Sequence, residues 1–528
     1  MFQNLVSPIH MSFCLAIKTS SQCVHVFKRM ALIQVVGSDS MFWLGAVALT
    51  SLLAWVILHV CYNAFLHPLR QYPGPRLWAA TRLPWCWYQA HGRLNQKLLE
   101  LHLRYGRIVR VAPNELSYNS EEAWRAIYGL RSDEMGKDPV FSLRTPTGVQ
   151  NILTADRQTH TRQRRLLSHA FSEKALREQE GIIQGYVDQL MKQLAARAND
   201  GPQNMVDWFT FTAYDLIRDL SFGERFHCLD TAEYDPFVRS IQAISKELTF
   251  IQMLAYYKLL SLRQLFMSKA FSGARAQNMQ RVIETVNRRV DRNTDRKDFL
   301  HYILAAMETE KGMSRAEMNV NAFSFSIAGS ESSATALSAF TYYTLSRVSV
   351  YDRLIAEIRG TFDAYEQIDI SSTAQLSYLN AVLQETLRIY PPVAVTLPRV
   401  VPVNGTVIDG DFVPAGVTVG VNHFACYHDP RNFHRPQEFL PERWLPECQA
   451  QGPFSKDCQK SCQPFSFGPR NCLGKNLAWA EMRLIAAKLL FLFDMEIDET
   501  SKGWTDGQKV LGFWVKPPLF VRLMQRGC

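Results

Sequence analysis

The segment Phe465-Ser466-Phe467-Gly468-Pro469-Arg470-Asn471-Cys472-Leu473-Gly474 constrains this 528-residue chain more than any other. It sets one cysteine between two glycines, with an arginine two residues before it and an apolar helical run just after it. Glycines let a backbone approach a flat partner with no Cβ in the way. A helix N-terminus and nearby cationic charge favour a thiolate over a thiol. The pattern suits a loop that offers Cys472 to a metal. Most intracellular cysteines are small buried hydrophobes instead, and the chain holds 11. Cys448, Cys458, Cys462 and Cys472 lie close enough together to raise structural zinc. Such sites pair ligands two to four residues apart on a tight knuckle, and only Cys458 and Cys462 come near that. A disulfide framework does not suit a long chain with ample core-forming residues.

Phe465, Gly468, Arg470, Cys472 and Gly474 fill every fixed position of the cysteine-ligand motif of cytochrome P-450 haem-thiolate enzymes. The chain resembles that superfamily, in its microsomal type, over nearly everything after Tyr72. The resemblance implies a mainly α fold with a small β region, formed as a single large haem domain behind an N-terminal transmembrane helix. It implies haem b (iron protoporphyrin IX) as cofactor, with Cys472 on the metal and Phe465, Gly468, Arg470 and Gly474 shaping the cofactor loop. A thiolate axial ligand pushes electron density onto iron and favours O–O cleavage.

Glu385-Thr386-Leu387-Arg388 lies in a helical stretch, Ala374 to Tyr390, that stops at Pro391-Pro392. Residues three apart share a helix face, so Glu385 and Arg388 can pair. Such pairs on a surface are worth only tenths of a kcal/mol. The resemblance implies more: a buried ExxR clamp completed by Arg443, in Pro441-Glu442-Arg443-Trp444, that locks the cysteine loop.

Ala328-Gly329-Ser330-Glu331-Ser332-Ser333 interrupts a helical pattern running from about Arg315 to Arg347. Its small residues suit either a close helix crossing or the approach of a flat ligand or dioxygen. A mid-helix serine can bond back to a carbonyl and bend the helix. Glu331 and Ser332 resemble the family's acid-plus-threonine pair, which implies proton delivery to bound dioxygen. Serine in the threonine place keeps the hydroxyl but loses the methyl that restrains χ1, so coupling of electron use to product is expected to suffer.

Asp156 to Arg165 is a basic helical start with His160 and Arg164 four apart on one face. A solvated basic face is the plain reading. The resemblance makes His160, Arg164, Arg399 and Arg470 partners of the haem propionates, His160 standing where the family often has tryptophan. Arginine's planar fork matches a carboxylate.

Met41 to Val60 is uncharged and of bilayer-spanning length, and Tyr72-Pro73-Gly74-Pro75 is a stiff joint after it. The expected organisation is an N-terminal extension over 1–40, a transmembrane anchor over 41–61, a Pro/Gly-containing linker over 62–76 and a haem-thiolate catalytic domain over 77–528. Residues 1–40 hold no acid before Asp39 and few basic residues, namely Lys18, Lys28 and Arg29. A mitochondrial leader would be richer in arginine, and Met30 or Met41 offers an alternative start. Lys28 and Arg29 before the apolar run, against Arg70, Arg76 and Arg82 after it, lean towards a cytosolic catalytic domain. The family's usual place is the endoplasmic-reticulum membrane, crossed once.

Long amphipathic patterns cover Lys174 to Ala198 and Ala276 to Glu310. Strand signals gather between Val393 and Asn422, with a hairpin on Asp409-Gly410. Hydrophobic residues make up 47% of the chain, enough for one large core. A net charge of +9 is modest at this length and does not imply nucleic acid. Lys475 and Arg483 on the cysteine face could dock an acidic redox partner.

The resemblance therefore implies a membrane-anchored monooxygenase that inserts one oxygen atom of dioxygen into an apolar small molecule. Electrons would come from NADPH through NADPH–cytochrome P-450 reductase, with cytochrome b5 as a further donor. No dinucleotide or flavin motif occurs in this chain. Tyr62 to Leu69 and Tyr72 to Pro75 are similar to fungal enzymes of the isotrichodermin C-15 hydroxylase type. That points to a tailoring hydroxylation or epoxidation of a terpenoid or polyketide-derived secondary metabolite. Two other readings are a haem-thiolate isomerase or dehydratase, against which Glu331 argues, and a haem-binding protein without turnover. Phe141, Leu143 and Val393 to Thr396 are the expected pocket positions, under an apolar loop around Val140 to Leu153.

Overall fold

A computed structural model describes residues 38–131, 133–142, 148–262, 269–292, 294–305 and 312–526. The chain divides into two compact units, Met1–His67 and Pro68–Cys528. Leu143 and the basic residues before Ser38 lie outside the described residues.

In the first unit, α1 (Ser38–Cys61) is a 24-residue helix. At 1.5 Å per residue it reaches about 36 Å, more than the ~30 Å of a bilayer's hydrocarbon. Within Phe42–Leu66 an 18-residue window has a mean hydropathy of 2.1, and none of that window is buried in protein. The Thr50 hydroxyl donates back to the Ala46 and Val47 carbonyls at 2.9 and 3.0 Å, so no polar group is left for lipid to satisfy there. One helix of the right length and polarity for membrane anchoring thus begins the described chain.

The second unit is mainly helical. Its helices used below are α2 (Glu121–Tyr128), α3 (Arg157–Ser168), α4 (Glu180–Arg197), α5 (Met205–Phe222), α6 (Pro236–Tyr256), α7 (Lys269–Asp291), α8 (Phe299–Ala305), α9 (Arg315–Leu345), α10 (Ser377–Ile389) and α11 (Lys475–Leu492). The pattern expected over Lys174 to Ala198 is divided at Gln179, after a short helix Glu173–Glu178. The one expected over Ala276 to Glu310 breaks between α7 and α8. The break turns Asp298 back onto Arg289, which it meets bidentately at 2.5 and 2.9 Å with both side chains buried. A straight helix would leave that guanidinium without its carboxylate.

At the centre runs α9, 31 residues opened by a Ser314–Glu317 capping box. The expected interruption at Ala328 to Ser333 does not occur. Ser326, Ser330 and Ser332 each donate to the carbonyl four residues earlier, so their hydroxyls are satisfied within a continuous helix. Gly329 marks a helix crossing: a Cβ there would come 2.7 Å from Ile217 Cδ1 and Cγ1 on α5.

Among the described residues, twelve short strands make up the β part. β1 (Ile108–Ala112), β2 (Glu115–Tyr118), β8 (Thr418–Val421), β5 (Arg399–Val400) and β3 (Gly136–Lys137) form one sheet in that order, with β2 and β8 parallel. β6 (Thr406–Ile408) and β7 (Asp411–Val413) form the expected hairpin. Asp409 and Gly410 have φ of 52° and 89°, the doubly positive turn that Asp-Gly suits. β4 (Gln203–Asn204), β12 (Phe520–Gln525) and β9 (Phe493–Ile497) form a third sheet, and β10 (Lys509–Leu511) with β11 (Phe513–Val515) a second hairpin.

α11 is joined to α9 by a polar contact inside the core. Ser333 Oγ donates to Glu481 Oε2 at 2.7 Å. Burial pushes the Glu481 carboxyl up to about 7, against which the Ser333 hydrogen bond pulls only partly. Folded chain therefore keeps this proton to about pH 7, whereas unfolded chain loses it near 4.5. Between those values the folded state binds more protons, so stability falls as pH rises, by up to about 3 kcal/mol for this one group. Glu481→Gln is expected to flatten the stability–pH curve over that interval in denaturant titrations. An unchanged slope would mean that Glu481 ionises in the folded chain as easily as in water.

Candidate functional site

The Glu385 carboxylate sits fully buried on α10. Arg388 reaches it through Nε and Nη2 at 2.8 and 2.7 Å, a bidentate pair set up by their spacing on one helix face. Arg443 Nε, Trp444 Nε1 and the Leu440 amide donate to it as well. Burial alone would raise this carboxyl; Arg388 and Arg443 outweigh that and hold it below its usual range. The arginines keep further donors, and the backbone takes them. Arg388 bonds the carbonyls of Tyr427, Pro436 and Glu438 at 2.9, 2.7 and 3.0 Å. Arg443 bonds His434 O at 2.9 Å and pairs with Asp457, a fourth buried charge. Sequence reasoning found Glu385, Arg388 and Arg443 but missed Asp457 and Trp444.

From this network a line of hydrogen bonds runs to the cysteine. The Tyr427 hydroxyl accepts from the Gln463 amide at 2.9 Å. Gln463 O accepts from Ser466 N at 2.8 Å, and Phe465 O accepts from Cys472 N at 2.8 Å. Gly468 turns the loop with φ of 74°, and a Cβ there would lie 2.0 Å from the Tyr128 carbonyl oxygen. Both facts demand glycine. Gly474 precedes α11 directly and has open space, its nearest neighbour being a Phe171 ring carbon at 3.9 Å.

The Cys472 thiol is walled in. Burial pushes its pKa up, while the Gly474 amide, Arg164 and Lys475 pull the other way. The residue nevertheless is exposed, so the groups around the thiol crowd it without closing it off. The expected bias to thiolate is thus present in the local donors but outweighed until a metal supplies the missing charge. Of the two cations that act on the thiol, Arg164 of α3 has the larger effect, and it grips Asn471 O and Oδ1 at 2.6 and 2.7 Å. Arg470 points away, to Glu134 and to Ala155 O. No group of three or more His, Cys, Asp or Glu able to hold a metal ion occurs among the described residues.

Beside the loop lies a surplus of buried positive charge. Burial, then Arg470, Lys137, Arg164 and Arg399, push the buried His160 down to about 3. Burial, then Arg399 and Arg470, push Lys137 down to about 7. Glu134 is the carboxylate that acts on Lys137 and Arg399, and it is already paired with Arg470. Arg399, on β5, has a buried Nη1 with no hydrogen-bond partner. An unpaired buried donor of this kind is costly, and a ligand bearing two carboxylates would relieve it. The residues present therefore fit haem, with its paired propionates. Lys137, which pairs with Arg399 across β3 and β5, is a member that the sequence did not suggest.

On α9 the four expected residues divide their work. Ala328 is exposed although Ser326, Ser330 and Glu331 beside it are buried. Gly329 belongs to the α5 crossing. Ser332 Oγ donates to Ala328 O at 2.6 Å, which holds the χ1 that the missing methyl would have restrained. Glu331 Oε1 accepts from Lys516. The loop before α3 is tied to the same helix by Asn151 Nδ2 on Ser324 Oγ at 2.7 Å and Ile152 N on Asn321 Oδ1 at 2.9 Å. Of the expected pocket positions, Phe141 is 38% exposed and Ala394 fully buried. On the face after the cysteine Lys475 is exposed, but Arg483 is half-buried against the Trp479 ring and bonds Asn380.

The sequence matches the family described as Cytochrome P450 over residues 73–523. Cytochrome P450 monooxygenase astJ of Aspergillus oryzae is 41% identical over 480 residues, 90% of this chain and 95% of its own. Averantin hydroxylase of Dothistroma septosporum is 40% identical over 479 residues, 90% of each chain. The averantin hydroxylase of Aspergillus parasiticus is 41% identical over 470 residues, 88% of this chain and 94% of its own.

The Glu385 network makes a graded prediction. Glu385→Ala strands two buried guanidinium groups and is expected to cost about 3–5 kcal/mol in urea unfolding. Asp457→Asn, which leaves Arg443 on Glu385, is expected to cost clearly less. Equal losses would place the centre of the network elsewhere.

Proposed function

The chain belongs to the cytochrome P450 family, and we propose from that premise that it hydroxylates an apolar small molecule as a tailoring step in fungal secondary metabolism. Averantin hydroxylase as the name of two relatives supports hydroxylation over epoxidation. The substrate class is a terpenoid or polyketide-derived metabolite. The observation that carries the reading is the walled-in Cys472 thiol beside buried cations that outnumber their carboxylate.

Haem b, when bound, would supply the activation of dioxygen, one atom of which enters the substrate while the other leaves as water. The chain supplies everything around it. Cys472 is the ligand, held by the line from Glu385. Phe465, Gly468 and Gly474 shape the loop. His160, Arg164, Arg399 and Arg470, with Lys137, answer the propionates. Ala328 of α9 and Cys472 both keep exposed surface, and the substrate would be held in the space between them. Glu331 takes a proton from solvent and passes it to Ser332 Oγ, which releases its own hydroxyl proton towards that space.

Electrons reach the site from NADPH through a separate reductase, which the family uses in general. Its docking surface here is the face bearing exposed Lys475, and cytochrome b5 is a second donor. The anchor occupies residues 41–61, the linker 62–76 and the catalytic body 77–528, held on the cytosolic side of the endoplasmic reticulum.

Ferrous carbon monoxide difference spectroscopy tests the ligand. Purified protein is expected to give the thiolate-type Soret band, and Cys472→Ala to abolish it. A band that survives that substitution would refute Cys472 as the ligand. NADPH-dependent oxygen uptake with reductase present separates a monooxygenase from an isomerase.

A further inference from the structure

Lys516 follows β11 directly, and its side chain leaves the sheet region for the middle of α9. Its Nζ donates to Glu331 Oε1 and, at 2.7 Å, to Thr335 Oγ1. Those two residues are one helical turn apart, so the ammonium spans the turn. The lysine side chain is 3% exposed and the glutamate's 11%. A cation buried so far is retained only with full pairing.

The arm that carries Lys516 is rigid. Pro517 and Pro518 follow it and fix two φ angles. Trp514 Nε1 bonds Pro391 O at 2.8 Å and Trp504 Nε1 bonds Pro517 O at 2.9 Å. Leu519 N bonds Asn204 Oδ1 at 3.0 Å, and Met205 N bonds Leu519 O at 2.8 Å. The ammonium is therefore held in place from both sides. Lys516 is the hydrogen-bond partner of the Glu331 carboxylate among the described residues. Tyr214 lies within electrostatic reach, its own buried hydroxyl unpartnered.

We propose that Lys516 is a positioning residue for proton delivery. It pins Oε1 of Glu331 to α9, so that the other carboxylate oxygen is the one that takes a proton from water and gives it to Ser332 Oγ. Ser332, its hydroxyl turned away from Ala328 O, then gives its own proton to dioxygen as that is reduced; Glu331 returns to the carboxylate, and solvent has supplied one proton. The inference rests on the proposed role of Glu331, and its test separates the two.

The test uses the full-length haem-loaded protein with its reductase, as wild type, Glu331→Gln, Lys516→Met and Thr335→Val. One readout is peroxide formed per NADPH consumed. The other is the infrared carboxylate band lost in Glu331→Gln, recorded on enzyme that is not turning over. Lys516→Met is expected to raise the peroxide ratio several-fold and to shift that band. Thr335→Val, which loosens the ammonium without removing it, is expected to move both the same way by less, and it decides the matter if Lys516→Met does not fold. Should Glu331→Gln leave the ratio unchanged, the role of Glu331 itself falls. Should Glu331→Gln raise the ratio while both other variants keep the wild-type ratio and band, the role of Lys516 falls and that of Glu331 stands.

Discussion

One buried carboxylate holds the working end of this molecule together. Glu385 has no contact with solvent, and a lone ion there would cost several kcal/mol. Two guanidinium groups, an indole and an amide meet it instead. The guanidinium groups are then over-supplied with donors, and they spend the excess on backbone carbonyls of residues 427 to 438. A charge that must be buried thereby organises polypeptide with no regular structure of its own. The cysteine loop is built on that polypeptide through Tyr427 and Gln463. Replacing the whole network with apolar residues could match its stability, but it would lose the carbonyl contacts that give the loop its shape.

The opposite situation holds on the far side of the loop. There the charges are not balanced: burial first, and then neighbouring cations with Arg470 among them, push His160, Lys137 and Arg399 below their usual ranges and keep His160 neutral. A folded chain tolerates such a cluster when something anionic completes it. The two charge sets have complementary tasks. One is closed and makes a rigid seat; the other is open and makes an electrostatic socket.

Much of this was legible in the sequence where the signal is local. The α9 boundaries, the Asp409-Gly410 hairpin and the end of α10 before Pro391 follow from period, turn chemistry and proline sterics. So did Glu385 with Arg388, three apart on one helix. Signals that depend on distant packing were not legible. Asp457 lies 14 residues from Arg443 with no periodic relation to it. Lys516 stands 185 residues from Glu331 and would pass for a surface lysine beside two prolines. Strand β2 offered no alternation to read, since Glu115–Tyr118 is buried at all four positions. The bend after α7 was hidden because its cause, Arg289 on Asp298, is tertiary.

The contact between Gly468 and the Tyr128 carbonyl has a consequence in time. The cysteine loop cannot take its final curve until the end of α2 is there to press against, and α2 is made some 340 residues earlier. Such distant closures are the slow steps of folding, because chain entropy must be surrendered before the contact returns anything. On the ribosome the order is favourable, since the template emerges long before the loop that it moulds. The ligand-bearing loop is then a late product of folding, and capture of the cofactor belongs among the last events in the protein's maturation.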